Sequence, residues 1–165
     1  MEKWKKDATE LAVINSTGKS YMTDEPFLID TNIFVYAYDK RNEKKKKAVV
    51  EFFKMIFREN YQFYVSNQIL AELIYVLTSK IETKLNVNEA KEIIDEITKV
   101  ENCRILNYSC KTVLSAVDIS KQNIVPFWVA LIIATMLENQ VFTIYTENLK
   151  DFMKVKQIKV INPFD

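Results

Sequence analysis

The 165-residue chain contains one glycine, Gly18, and no histidine. A single glycine excludes the glycine-rich loops that cradle phosphates in P-loop and dinucleotide-binding proteins, because those loops need several residues without a Cβ atom. The absence of histidine excludes Ser-His-Asp and Cys-His catalysis and histidine-ligated zinc. Any chemistry must therefore depend on carboxylates, lysines, hydroxyls, thiols or a hard metal ion held by oxygen ligands.

The net charge and the cysteine content are both low. Lys and Arg number 23 against 22 Asp and Glu, so no whole-protein field marks a nucleic-acid or membrane binder. The two cysteines, Cys103 and Cys110, accompany no secretion signal and are expected to be reduced thiols. The longest apolar stretch, residues 124–137, is shorter than the about 20 residues of a membrane span. We expect a soluble, cytoplasmic protein with no membrane partner.

The order of predicted elements favours an α/β fold. Residues 1–25 are polar and weakly periodic and are interpreted as an N-terminal extension, and residues 26–165 as one domain. Short apolar segments at 27–29, 62–66, 103–106, 141–145 and 158–161 predict five strands. Amphipathic segments at 33–38, 42–58, 67–79, about 86–100, 109–120 and 126–138 predict helices between them. This alternation predicts a three-layer α/β/α sandwich with a central, mostly parallel five-stranded sheet.

In such a sheet, sites form beyond the carboxyl ends of the strands. Asp30 follows the first strand, and Thr146, Glu147 and Asn148 follow the fourth. Carboxylates at strand ends in a chain without histidine suggest a Mg²⁺ or Mn²⁺ site, because these hard ions prefer oxygen ligands. An Asp directly before a helix is also an ordinary N-cap. Position alone leaves both interpretations of Asp30 open.

Several segments resemble the motifs of PIN domains, metal-dependent ribonucleases that include the VapC-type toxins of toxin–antitoxin pairs. Residues 27–36 resemble the opening strand and turn of that family, and residues 65–73 its second motif, a helix that carries a glutamate. Residues 127–132 resemble the third motif and residues 145–152 the fourth, and the ending at 161–164 also fits. The resemblance runs from Phe27 to Phe164 in the family order.

The resemblance implies a set of site residues. Asp30 would be the principal metal ligand, Glu72 the second carboxylate and Asn148 a neutral third ligand, and these three would be the catalytic residues. Without the resemblance, Glu72 would be interpreted as a solvated helix charge. Glu147 is a further candidate ligand, although a surface role is the simpler interpretation. The supporting residues would be Thr31, Asn32, Thr146 and Asp151.

The third motif departs from the family pattern. Where the family has an aspartate after the tryptophan, this chain has Val129, whose side chain has no oxygen for a cation or its water. Two carboxylates and an amide only neutralise a divalent cation, so Mg²⁺ or Mn²⁺ is expected to bind weakly.

The same resemblance suggests partners. Lys44, Lys45 and Lys47 could bind RNA phosphates, or could form a solvated helix face. Related toxins form homodimers and bind an antitoxin protein, and both partners are expected on that basis alone. The leading hypothesis is a metal-dependent endoribonuclease with a weakened metal site, and the resemblance also implies the toxin of a toxin–antitoxin pair. The alternatives are a catalytically inactive PIN-fold module that binds RNA or protein, and a plain structural α/β domain.

Overall fold

The computed structural model describes residues 25–164 and has five strands alternating with seven helices in that range. The strands are β1 (Phe27–Ile29), β2 (Phe63–Ser66), β3 (Cys103–Leu106), β4 (Thr143–Tyr145) and β5 (Lys159–Ile161). The helices are α1 (Thr31–Tyr38), α2 (Glu43–Arg58), α3 (Asn67–Ser79), α4 (Val87–Thr98), α5 (Cys110–Asn123), α6 (Phe127–Glu138) and α7 (Leu149–Phe152).

The five strands form one sheet in the order β3-β2-β1-β4-β5, and every pair is parallel. The chain builds the sheet outward from β1 to β3 in one direction and then returns to place β4 on the other side of β1. The strand order therefore reverses between β1 and β4, where open α/β sheets form their binding crevices. Tyr145 lies opposite Ile29 across this pair, so Asp30 and Thr146 leave the sheet side by side.

The strands and helix α6 are apolar because helices cover both faces of the sheet. All three residues of β1 are fully buried, as expected of a strand without a solvent face. Helix α6 is buried continuously from Ala130 to Met136. On the α2 side, Phe52 and Phe53 pack in the core, and Phe52 contacts the ring of Tyr145.

The predicted α/β class and the central sheet are confirmed, with differences at the element ends. The sheet is entirely parallel within residues 25–164. Helix α5 continues to Asn123 and ends where Ile124 adopts a left-handed conformation at φ 53°. The short helix α7 has too few residues for a periodic pattern and was not predicted. The N-terminal extension, apart from Glu25, lies outside the described residues.

The cysteines and the apolar helices were also subjects of prediction. Cys103 is buried, Cys110 is exposed and both are free thiols. Among residues 25–164 no single helix is long and apolar enough to cross a membrane. Helices α5 and α6 meet the length and composition together, but they are bent by 118° where they join.

Candidate functional site

Asp30 is held at the end of β1 by three hydrogen bonds. Its Oδ1 accepts from the backbone N–H of Thr31 at 2.8 Å, and its Oδ2 accepts from Asn32 Nδ2 at 2.7 Å and Thr146 Oγ1 at 2.5 Å. Asp30 is 6% exposed. Burial raises its pKa to about 6, the negative charge of Glu72 adds to the rise, and the three hydrogen bonds oppose it. Asp30 is thus the N-cap of α1 and also a carboxylate of the crevice.

Glu72 approaches Asp30 from α3, the helix that follows β2. Its Oε2 accepts from Thr31 Oγ1 at 3.0 Å, and its Oε1 accepts from Gln68 Nε2 at 2.7 Å. Thr31 therefore bonds to both carboxylates, to Asp30 through its backbone N–H and to Glu72 through its hydroxyl. A single residue fixes the spacing of the two acids although Thr31 and Glu72 are 41 positions apart.

Both carboxylates line a cleft of about 410 Å³ at the carboxyl edge of the sheet. Asn148 lines the same cleft from the β4 side. The lining also includes apolar residues, among them Val129 and Ile132 of α6. Val129 therefore lies in the cleft, where its side chain contributes no oxygen.

Asn148 is oriented by its neighbours after β4. Its Nδ2 donates to Asp151 Oδ2 at 3.3 Å, and its backbone N–H donates to Thr146 Oγ1 at 3.0 Å. Asp151 is in turn paired with Lys154 Nζ at 3.2 Å. Because the amide nitrogen is bonded to Asp151, the carbonyl oxygen of Asn148 is the atom left for a ligand.

Glu147 points into a different cluster. Its carboxylate accepts hydrogen bonds from the Tyr36 hydroxyl and from Lys45 Nζ. Partial burial would raise the pKa of Glu147, but the bonds from Lys45 and Tyr36 outweigh burial and hold the pKa below its ordinary value. Glu147 does not line the described cleft around Asp30, so it is not brought together with the other predicted ligands.

The three predicted RNA-binding lysines occupy different environments. Lys44 and Lys47 are exposed on α2. Lys45 pairs with Glu147 and lies over the rings of Tyr36 and Phe164, at 4.5 and 5.7 Å from their centroids. Its charge is therefore paired within the protein, whereas Lys44 and Lys47 face solvent.

Gln68 belongs to the site but was not singled out in the sequence. Its Nε2 donates to Glu72 and also to the backbone carbonyl of Trp128 at 3.0 Å. Gln68 precedes Glu72 by four residues, one helical turn, and this spacing was the available signal. Within residues 25–164, its buried Oε1 has no hydrogen-bond partner.

The donor set fits a hard divalent cation in chemistry but carries little charge. Asp30 accepts three hydrogen bonds and Glu72 two, whereas a carboxylate offers about four lone-pair sites, so both retain capacity for a metal ion. The unpaired Gln68 Oε1 beside Glu72 would suit an ion-bound water. Across residues 25–164, however, no three His, Cys, Asp or Glu side chains converge closely enough to hold a metal ion.

A parallel five-stranded sheet with two carboxylates at its switch point places this chain among α/β proteins with an acidic crevice. A PIN domain family model matches residues 27–157, and the chain belongs to the PIN domain family. No match was found among curated proteins.

Solved structures support the same fold. The chain is similar to VapBC2 from Rickettsia felis bound to a promoter DNA fragment, with a TM-score of 0.60, 21% identity, and coverage of 83% of this chain and 98% of that one. It is similar to VapBC-1 from nontypeable Haemophilus influenzae, with a TM-score of 0.61, 19% identity and coverage of 85% and 99%. It is also similar to VapC20 of Mycobacterium tuberculosis, described as a sarcin-ricin loop cleaving toxin, with a TM-score of 0.59, 14% identity and coverage of 77% and 92%.

Proposed function

We propose that this PIN-domain protein is a metal-dependent endoribonuclease that hydrolyses RNA phosphodiester bonds in the Asp30–Glu72 cleft. The observation that carries the proposal is the bridge made by Thr31, which holds the two carboxylates together at the switch point of the sheet. A purely structural N-cap would not need a second acid from another helix at its side.

Asp30, Glu72 and Asn148 would hold one Mg²⁺ or Mn²⁺ ion. The ion would supply charge neutralisation on the phosphate and a more acidic water as nucleophile. The protein's own contribution is orientation. Asn32 and Thr146 fix Asp30 Oδ2, and Gln68 fixes Glu72 Oε1, so both acids are preorganised.

The metal site is proposed to be weak. Affinity in oxygen sites depends on the number of charged ligands, and this cleft offers Asp30, Glu72 and a neutral amide, because the remaining acid in its lining, Asp39, is bound to Arg41. Val129 stands where a third carboxylate would complete the set, and Glu147 is bound to Lys45 and Tyr36. Millimolar rather than micromolar metal would be needed for turnover.

The nuclease proposal is tested with purified protein, a labelled single-stranded RNA, and Mg²⁺ or Mn²⁺ against EDTA. Cleavage should require the metal and should fall at least about a hundredfold in Asp30→Asn and Glu72→Gln, because each removes half of the ligand charge. Asp118→Asn, an exposed acid on α5, is the matched control and should cleave normally. Cleavage that persists in Asp30→Asn or in EDTA would refute the proposal.

We further propose that the protein is the toxin of a toxin–antitoxin pair, works in the cytoplasm as a homodimer and is neutralised by an antitoxin protein. The support is the similarity in fold to VapBC complexes, which are toxin–antitoxin assemblies. Induced expression should arrest bacterial growth for the unmodified chain and not for Asp30→Asn. Co-expression of a small DNA-binding protein encoded beside it should relieve the arrest, and normal growth at equal protein levels would contradict a toxin role.

One observation favours a second function, that of an inactive PIN-fold module that binds RNA or protein. The apolar Val129 lies in the cleft, and the remaining acid in its lining, Asp39, is bound to Arg41. This alternative predicts RNA or protein binding without cleavage and without an effect of Mn²⁺. Metal-dependent turnover that is lost in Asp30→Asn would exclude it.

A further inference from the structure

Trp128 is an unusually exposed aromatic residue in the site. It lies in the first turn of α6, its side chain lines the cleft, and the residue is 62% exposed. An indole that covers a core is largely buried, so exposure of most of this ring is not explained by packing. The chain has one other tryptophan, Trp4, which lies outside the described residues.

The position of Trp128 is tied directly to the carboxylates. Gln68 Nε2 donates to the carbonyl of Trp128 at 3.0 Å and to Glu72 Oε1 at 2.7 Å. The ring of Phe127 packs edge-on against the indole, with centroids 5.4 Å apart. The backbone of Trp128 is therefore fixed relative to Glu72, and the indole that it carries packs against Phe127.

The surface beside Trp128 is apolar. Val76 of α3 and Val129 and Ile132 of α6 line the same cleft. Because position 129 carries no carboxylate, no negative charge adjoins the indole from its own helix turn. This wall suits the flat, weakly polar face of a nucleobase.

A cation lies at the rim of the same cleft. Arg41 Nε donates to both oxygens of Asp39, at 2.9 and 2.8 Å, and Nη2 also donates to Asp39 Oδ2. Asp39 is 4% exposed, so a buried carboxylate holds the guanidinium group in place. Within residues 25–164, the remaining nitrogen, Nη1, has no hydrogen-bond partner, and guanidinium groups bind phosphate oxygens well.

We propose that Trp128 and Arg41 together select an unpaired nucleotide, with the base stacked on Trp128 and a backbone phosphate bound by Arg41 beside the Asp30–Glu72 pair. This inference rests on the proposed nuclease function and names the residues that determine its preference for unpaired bases. A base inside a duplex is stacked on its neighbours and cannot offer its face to an indole, so duplex RNA should bind poorly.

The test measures binding and turnover separately. Binding uses the full chain carrying Asp30→Asn, which should not cleave, and short single-stranded or duplex RNA. Trp128→Ala should weaken single-stranded binding about five- to 150-fold, and Trp128→Phe should retain most of it because a phenyl ring still stacks. Phe142→Ala is the control, since Phe142 is 48% exposed just before β4, at the opposite edge of the sheet.

Three further readouts keep the proposal falsifiable if Trp128→Ala folds poorly. In a Trp4→Phe chain, the remaining indole fluorescence should be quenched by single-stranded RNA and not by duplex. In the cleaving chain, Trp128→Phe should change KM little, whereas Trp128→Leu should raise KM more than it lowers kcat. Arg41→Gln should reduce the salt dependence of binding by about one phosphate contact, with Arg41→Lys intermediate.

The outcomes separate this inference from the nuclease proposal. Equal single-stranded binding by the phenylalanine, leucine and alanine variants, with an unquenched indole, would overturn the role of Trp128 even if the protein cleaves RNA. Indole fluorescence that depends on protein concentration and not on RNA would also overturn it, because a second copy would then cover Trp128. Specific quenching by single-stranded RNA without any cleavage would support the inference while refuting the nuclease activity.

Discussion

At the scale of single residues, the residue at position 129 decides whether the cleft gains a further carboxylate. Val129 is the third residue of α6, and the N-cap of that helix is Pro126, which has no side-chain oxygen. The first-turn amide groups of a helix favour a negative charge. An aspartate at position 129 would therefore be compatible with the helix and would line the same cleft as the two acids.

We predict that Val129→Asp raises the affinity for Mn²⁺ on the order of tenfold, because it adds a third charged ligand. Calorimetric titration of the purified protein measures the change. Val129→Asn has nearly the same shape without the charge and is the matched control. Equal Mn²⁺ affinity in the two variants would show that position 129 is outside the metal site.

Asp30 predicts a specific pH dependence of stability. Its pKa is about 6 in the folded protein against an ordinary value of 3.8, so the folded state binds more protons than the unfolded state between these values. Stability contributed by the protonated group is full below about pH 4 and is lost as pH rises through 6. The loss is at most about 3 kcal/mol.

Asp30→Asn cannot titrate, so the difference between the unmodified chain and this variant isolates the effect. With EDTA present, the free energy of unfolding of the unmodified chain, relative to the variant, should fall from pH 4.5 to pH 7.5. Urea unfolding at several pH values measures it. A difference that does not change with pH would contradict the raised pKa.

At the scale of elements, helix ends depend on side-chain caps. Asn86 accepts from the backbone N–H of Glu89, and Glu89 accepts in return from the N–H of Asn86, which forms a capping box for α4. The cap is therefore Asn86, and Asn88 lies in the first turn of the helix.

We predict that Asn86→Ala lowers the free energy of unfolding by about 1 kcal/mol, because the cap bond to the α4 amide is lost. Asn88 lies inside the first turn of α4, where alanine is the better helix former. Asn88→Ala should therefore be neutral or slightly stabilising. Urea denaturation compares the two variants, and an equal loss in both would argue against the observed helix start.

At the scale of the whole molecule, the two thiols differ in burial, so their reactivities can be used to follow unfolding. Cys103 lies buried in β3, and burial raises the pKa of its thiol to about 12. Cys110 is exposed at the start of α5. A buried thiol with so high a pKa has almost no reactive thiolate at pH 8.

We predict that a thiol reagent labels one cysteine quickly in native buffer and the second only when urea unfolds the domain. Cys110→Ser should abolish the fast phase and leave the slow phase unchanged. The rate of the slow phase then measures opening of the sheet. Fast labelling of Cys103 in native buffer would show that β3 is not a protected edge of the core.

The sequence by itself determined the class of fold and predicted where the candidate site lies. The sequence shows apolar strands, helical periodicities and the motifs around Asp30 and Glu72, and each of these patterns depends on residues that are close in the chain. Together they predicted the α/β sandwich and the PIN domain family. The loss of an acid at Val129 was also visible in the sequence. These features are local, so they can be read along the chain.

Only the tertiary structure decided which side chains meet. Lys45 and Glu147 are 102 positions apart, and the structure pairs the predicted RNA-binding lysine with the candidate ligand. The link from Glu72 through Gln68 to the exposed Trp128 joins two helices, α3 and α6. Such contacts depend on the placement of β1 between β2 and β4, which is set by packing of the whole sheet and not by any local pattern.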